Sequence, residues 1–188
     1  MAGSPPQLKH VGVYVADIER MRRFYGDVLG MVETDTGEVA RYGNAPIVFL
    51  SADASAHHQL VLLQWPEGME RGPSTVNQLS FAVESLPQIR DIHDRLKQER
   101  VTKLLPINHG TSISLYSEDP EGNGLEIYMD LPWYISQPHG DPLDLSLSDE
   151  EIMRRTEEMV RADPSFRPFA DWSSSINEKI RQRAGQEA

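Results

Sequence analysis

His10, Gln78 and Glu126 combine residue types and settings that could do chemistry. His10 stands in the run LKHVGVYV, Gln78 in NQLSFAV, and Glu126 in Gly124-Leu125-Glu126-Ile127-Tyr128. A charged carboxylate inside an apolar strand is costly unless a partner or a metal ion neutralises it. Strand alternation equally permits Glu126 to face outward, and the residue types alone leave both readings open. A lone histidine such as His10 is more often a satisfied core side chain than a ligand.

Periodicity locates the elements that must position these residues. Residues 8–15 alternate as a strand, and Asp17 then caps a helix with Ile18, Met21, Phe24, Tyr25 and Val28 at helical spacing. Gly30 is placed to end that helix. Strands are expected near residues 38–42, 47–51 and 59–64. After a linker rich in Gly and Pro, residues 65–75, the same order returns. A strand at 77–83 precedes a helix at 86–99 with Ile89, Ile92 and Leu96 on one face, then strands near 102–105, 111–116 and 124–129. Asp119-Pro120-Glu121-Gly122-Asn123 signals a turn between the last two.

His10 lies five residues before Val15 and eight before Ile18, as Gln78 lies five before Val83 and eight before Leu86. The spacing marks an internal repeat, so the fold class expected is α+β with two βαβββ modules, residues 8–64 and 76–130. Neither half alone covers both faces of its sheet, so the two should pack together. A disordered lead is expected at residues 1–7 and a helical extension at 131–188. In the extension Ser148 or Asp149 caps a helix to about residue 162, with Ile152, Thr156, Met159 and Val160 inward. Pro164, Pro168 and Trp172 then suggest an extended segment that clamps the surface in a structural role.

A chain of 188 residues buries a core without staples, and with no cysteine it offers no thiolate ligand and no thiol nucleophile. The net charge of −11 argues against a nucleic-acid partner, which needs a basic face. No signal-like apolar region opens the chain and no apolar run approaches membrane-spanning length, so a soluble cytoplasmic protein is expected.

The sequence resembles the vicinal oxygen chelate superfamily, which includes glyoxalase I, antibiotic-resistance proteins and type I extradiol dioxygenases. The resemblance spans about residues 8–133 and rests on LKHVGVYVADIERMRRFYGDVLGM, HHQLVLL and SLYSEDPEGNGLEIYMD. It implies paired modules curled into one open, cup-shaped mixed sheet, with strands of both holding one divalent metal. The matching ligand positions are His10, Gln78 and Glu126, and Gln59 matches a position that some members use. Within the family the chain looks most like the extradiol dioxygenases. They carry a His-His-x-Leu run, here His57-His58-Gln59-Leu60, and a tyrosine before an Asp-Pro-x-Gly turn, here Tyr116. Asn108-His109-Gly110 matches a further segment.

The resemblance implies ring cleavage of a catechol-like diol by dioxygen, with Fe(II) or Mn(II) as the cation; a homodimer is left open as the assembly. His58 would be the acid/base, Tyr116 a hydrogen-bond donor to substrate oxygen, and His109 a substrate-positioning group; His57 is read as a polar loop end. The chain departs from the dioxygenase pattern at Gln78, where an amide replaces the second imidazole. An amide oxygen is a harder, weaker donor. That departure keeps two other readings open: Lewis-acid isomerase or lyase chemistry of the glyoxalase type, and metal-free ligand sequestration of the bleomycin-resistance kind. Retention of His10 and Glu126 weighs against the last.

Overall fold

The computed structural model describes residues 5–69, 72 and 75–185. The first four residues of the expected lead and part of the expected linker lie outside them. The first repeat runs β1 (Val11–Val15), α1 (Ile18–Leu29), β2 (Val32–Val39), β3 (Ala45–Ser51) and β4 (Leu60–Gln64). The second runs β5 (Leu79–Ala82), α2 (Leu86–Gln98), β6 (Leu105–Asn108), β7 (Ser112–Glu118) and β8 (Gly124–Asp130). The extension adds β9 (Trp133–Tyr134), β10 (Asp141–Pro142), α3 (Asp149–Ala162), β11 (Arg167–Pro168) and α4 (Phe169–Arg183).

The fold is mixed α+β with two open sheets of repeated topology. One has the order β1-β4-β3-β2 and the other β10-β6-β7-β8-β5. In each, the strand before the helix pairs parallel with the last strand of its repeat, β1 with β4 and β5 with β8. Among the described residues the strands before the helices therefore pair on one side only, and no strand pairing joins the two sheets.

Alternation sorts the strand residues. Leu60, Leu62, Ile113, Leu115, Leu125 and Ile127 are fully buried in a core that also holds Met21, Phe24, Tyr25 and Val28 of α1 and Ile89 and Leu96 of α2. The side chains between them face the opposite, helix-free side. Asp17 caps α1 by accepting from the Arg20 amide at 3.0 Å, and Gly30 ends it in the left-handed region at φ 72°.

The expected Asp119–Asn123 turn does more than reverse the chain. The Glu121 carboxylate accepts from the amides of Ala16 and Asp17 at 2.8 Å, at the N-terminus of α1, where negative charge is favoured. The fully buried Tyr25 donates to Asp119 at 2.9 Å. One turn thus clasps the two repeats together. Close backbone approach also explains Gly124, where a Cβ would come within 2.3 Å of the Asn77 carbonyl oxygen.

Three expectations need correction. The second strand lies at Val32–Val39 rather than 38–42; VETDTGEV is almost wholly exposed at a sheet edge, so no apolar face announces it. Residues Ala40–Tyr42 form a tight 3-10 turn instead. The strand expected at 102–105 lies at Leu105–Asn108 and contains Pro106, whose carbonyl bonds Leu143 at the outer edge, where its missing N–H costs no pairing with β7. The C-terminal clamp is a helix, α4, over Phe169–Arg183. Pro168 precedes the first turn with φ −56°, and Phe169, Trp172, Ile176 and Ile180 carry helical spacing that the prolines obscure.

The extension is tied into the second repeat. The Arg90 guanidinium of α2 donates to the carbonyls of Leu145 and Leu147 at 2.8 Å and pairs with Asp149. Buried Asn108 donates to buried Thr156 at 2.7 Å. Among the described residues no helix is long and apolar enough to cross a membrane.

Candidate active site

Glu126 is built into a wall of donors by strand register. Ser80 of β5 and Tyr116 of β7 stand opposite it on its two sides. Oε2 accepts from Gln78 Nε2 and from Ser80 Oγ, each at 2.6 Å, and Oε1 accepts from Ser114 Oγ at 2.8 Å. Burial pushes the Glu126 pKa up. The hydroxyls of Ser80, Ser114 and Tyr116, with His109 nearby, outweigh burial and hold it below the usual range. Glu126 is therefore a half-buried, ionised carboxylate whose neighbours are neutral donors, with no lysine or arginine paired to it among the described residues.

Tyr116 and His109 extend this wall. His109 Nδ1 lies 2.6 Å from the His139 carbonyl, which only accepts, so Nδ1 carries the proton. In the neutral ring Nε2 then accepts, and the Tyr116 hydroxyl stands 3.0 Å from it. Burial and the Glu126 carboxylate push the Tyr116 hydroxyl up to about 12. Tyr116 remains a donor near neutral pH. Gln137 of the extension holds the same loop by donating to the His109 carbonyl at 2.8 Å.

His10 and His58 form a second group on the first sheet. Their ring centroids are 4.4 Å apart, and Phe49 lies 5.1 Å from His58. His57 Nδ1 meets His58 Nδ1 at 2.9 Å, which leaves His58 Nε2 as the free ring nitrogen. Burial, then His10 and His57, lower the His58 pKa, so its ring is neutral near pH 7. Gln59 Oε1 accepts from the Ala52 amide at 2.9 Å and so braces the β3–β4 connection.

The structure brings Gln78, Glu126, Tyr116 and His109 together, and separately His10 with His58. Among the described residues no hydrogen bond, ion pair or ring contact joins the two groups, and no three His, Asp or Glu side chains lie close enough to hold a metal ion. A cleft of about 660 Å³ is lined by Gly12 and Tyr14 of β1 and by Leu79 and Gly124 of the second sheet, and no side chain of either group lines it. The donor types, a carboxylate, an amide oxygen and an imidazole, suit a first-row divalent transition-metal cation. Gln78 gives its nitrogen to Glu126, leaving its oxygen for a cation, and His10 makes no hydrogen bond among the described residues.

Ser80 and Ser114 do not stand out in the sequence. Their only signal is a spacing of two from residues already singled out, Ser80 from Gln78 and Ser114 from Tyr116, and it takes the register to place them beside Glu126. The part of His139 is carried by its backbone and leaves no trace in residue type.

Residues 7–127 match the family model of the glyoxalase/bleomycin resistance protein/dioxygenase superfamily. Over 130 residues the chain is 32% identical to biphenyl-2,3-diol 1,2-dioxygenase 3 of Rhodococcus globerulus, covering 66% of this chain and 64% of that protein. It is 30% identical over 128 residues to biphenyl-2,3-diol 1,2-dioxygenase 2 of the same organism, covering 66% and 63%. The match therefore spans less than two thirds of the length of these curated relatives. A glyoxylase/bleomycin resistance protein/dioxygenase domain from Frankia sp. EAN1pec superposes with a TM-score of 0.58 at 20% identity, over 68% of this chain and 94% of that one.

Proposed function

This chain belongs to the glyoxalase/bleomycin resistance protein/dioxygenase superfamily, and from that premise we propose that it is a metal-dependent extradiol dioxygenase acting on a catechol-like vicinal diol. The observation that carries the reading is the tethered His109–Tyr116 pair beside the ionised Glu126 carboxylate. It occurs in a chain about 30% identical to two proteins named as biphenyl-2,3-diol dioxygenases.

Glu126, Gln78 and His10 would hold the cation, Fe(II) in first place and Mn(II) in second. When bound, the cation supplies Lewis-acid activation of the diol and a site for dioxygen. The chain's own groups do the rest. Neutral His58 takes a proton from a diol hydroxyl at Nε2 and later returns it. Tyr116 stays protonated; its one hydroxyl proton rests on His109 Nε2 in the free protein and turns to a substrate oxygen when the diol binds, with His109 holding the tyrosine in place until then. The apolar face of the first sheet, Val61, Leu63 and Ile47, excludes water from the ring. Both substrates are small molecules, an aromatic diol and dioxygen. The partner proposed is a second copy of the chain.

Gln78 favours a second reading. An amide oxygen is a poorer donor than imidazole for oxygen activation and serves well where the cation only polarises a carbonyl. Lewis-acid isomerase or lyase chemistry on the same residues would follow. The deciding experiment is metal analysis of protein purified without chelators, then Fe(II) or Mn(II) loading and oxygen uptake on a panel of catechols. Stoichiometric oxygen consumption with a yellow ring-opened product supports the dioxygenase. Metal retention without oxygen consumption overturns it in favour of Lewis-acid chemistry, and ligand binding with no metal retention points to sequestration.

A further inference from the structure

We infer that the substrate is an elongated aromatic diol whose far end carries an anionic group, a carboxylate in the first instance, received by Arg41. The inference deepens the dioxygenase reading and rests on it for the diol end alone.

A cleft of about 300 Å³ on the helix-free face of the first sheet is lined by His10 at one end and by Tyr14, Tyr42 and Arg41 at the other. The register fixes that order. Gly12 stands beside Val61, Tyr14 beside Leu63, and Leu63 beside Ile47. From His10 to Tyr14 is four residues along an extended chain, roughly 13 Å at the usual rise. A single ring held at His10 would not span that distance, whereas two linked rings would approach it.

The middle of the cleft is apolar. Val61, Leu63 and Ile47 supply its walls, and Gly12 contributes no side chain. A Cβ at Gly12 would meet only Val61 Cβ, at 3.9 Å, so the space above this glycine is open. The far end is aromatic and then cationic. Tyr42 and Trp65 stand edge-on to Tyr14, with centroids 6.2 and 5.0 Å away.

Arg41 lies with its guanidinium carbon 4.8 Å from the Tyr42 ring centroid, on the tight turn Ala40–Tyr42 that Gly43 closes through its amide to the Ala40 carbonyl at 3.1 Å. It is the one lining residue of this cleft with a permanent positive charge. In a chain with 29 acidic and 18 basic residues, Arg22, Arg90, Arg95, Arg154, Arg155 and Arg161 each pair with a carboxylate. Arg41, like Arg23, Arg100 and Arg167, pairs with none among the described residues, and it is the one of these that lines the cleft. A planar guanidinium held over a ring at the mouth of an apolar cleft is the geometry that receives a planar anion in two hydrogen bonds.

The test uses three probes on the full chain loaded with Fe(II) under nitrogen: 2,3-dihydroxybiphenyl, the same diol with a carboxylate at the far para position, and biphenyl-4-carboxylate. Isothermal titration reads the affinities, with quenching of tryptophan emission as a second signal. The carboxylated diol should bind roughly tenfold tighter than the neutral diol, the scale of a charge-assisted bond at a partly exposed site. Arg41→Gln should bring that ratio to near one, and Arg41→Lys should restore only part of it. Gly12→Val, which fills the cleft, should weaken both diols. Equal affinities in the parent protein, or a ratio unchanged by Arg41→Gln, overturns the inference. Arg41-dependent binding of biphenyl-4-carboxylate, with no oxygen consumption on either diol when the loaded protein is then assayed in air, would uphold the anion site and sink the dioxygenase reading.

Discussion

Replacing Tyr116 with phenylalanine removes one hydroxyl from the Glu126 wall and keeps the ring beside His109. In the native protein that hydroxyl, pushed up to about 12 by burial and Glu126, is a donor and not a base. At about pH 7.5 only roughly one molecule in thirty thousand carries it ionised. In the free protein its proton rests on His109 Nε2, 3.0 Å away, because the other His109 nitrogen donates to the His139 carbonyl, and it turns to a substrate oxygen when the diol binds. Losing one neutral hydrogen bond at a half-buried position costs about 0.5–1.5 kcal/mol, so the variant should fold and melt within a few degrees of the parent. Turnover responds on another scale. A donor aimed at charge that develops during reaction contributes about 10²–10³ in kcat. Oxygen-electrode rates with 2,3-dihydroxybiphenyl on Fe(II)-loaded protein should therefore fall about a hundredfold, while the dissociation constant measured under nitrogen changes little. A variant whose kcat stays within about threefold of the parent would refute the donor role and reduce Tyr116 to a spacer in the wall.

Three further outcomes follow from the same geometry. Glu126→Gln and His10→Ala should each abolish retention of Fe(II) or Mn(II) after desalting, read by elemental analysis, with far-UV circular dichroism unchanged; metal held at parental stoichiometry in either would remove that residue from the ligand set. Gln78→His should bind the cation more tightly in chelator competition, since imidazole is the stronger donor, and an unchanged affinity would mean that Gln78 is not a ligand. Tyr25→Phe should lower unfolding free energy in urea by about 1.5–3 kcal/mol, because a fully buried donor to the Asp119 carboxylate is lost, and a change below about 0.5 kcal/mol would show that the clasp contributes little.

Legibility varied with how much of an element's face is buried. The helix boundaries of α1, α2 and α3 and the caps Asp17 and Ser148 follow the readings closely, since each helix buries one apolar stripe; α2 begins at a side-chain cap too, Ser85, that the reading did not name. Strands with one fully buried face, β4, β7 and β8, were equally plain. The exposed edge strand β2 and the exposed helix α4 were not, because neither has an apolar face pressed into the core. The resemblance supplied the cup and the site residues that composition cannot. Gln78, Glu126, Tyr116 and His109 do assemble, while His10 and His58 assemble on the other sheet.

Residue order alone settled the repeat, the α+β class and which residues of one strand share a face, because these follow from periods of two and of three to four residues along one chain. Which polar groups meet across the fold depends on register and docking. Ser80 reaches Glu126 because β5 pairs with β8 in one register, and a shift of one residue would turn Ser80 to the core. Tyr25 reaches Asp119 across 94 residues because α1 docks against the β7–β8 turn. His109 is held in one tautomer by a backbone carbonyl that any residue type would present. Contacts between distant or backbone atoms leave no periodic mark on the chain, so only the tertiary structure decided them.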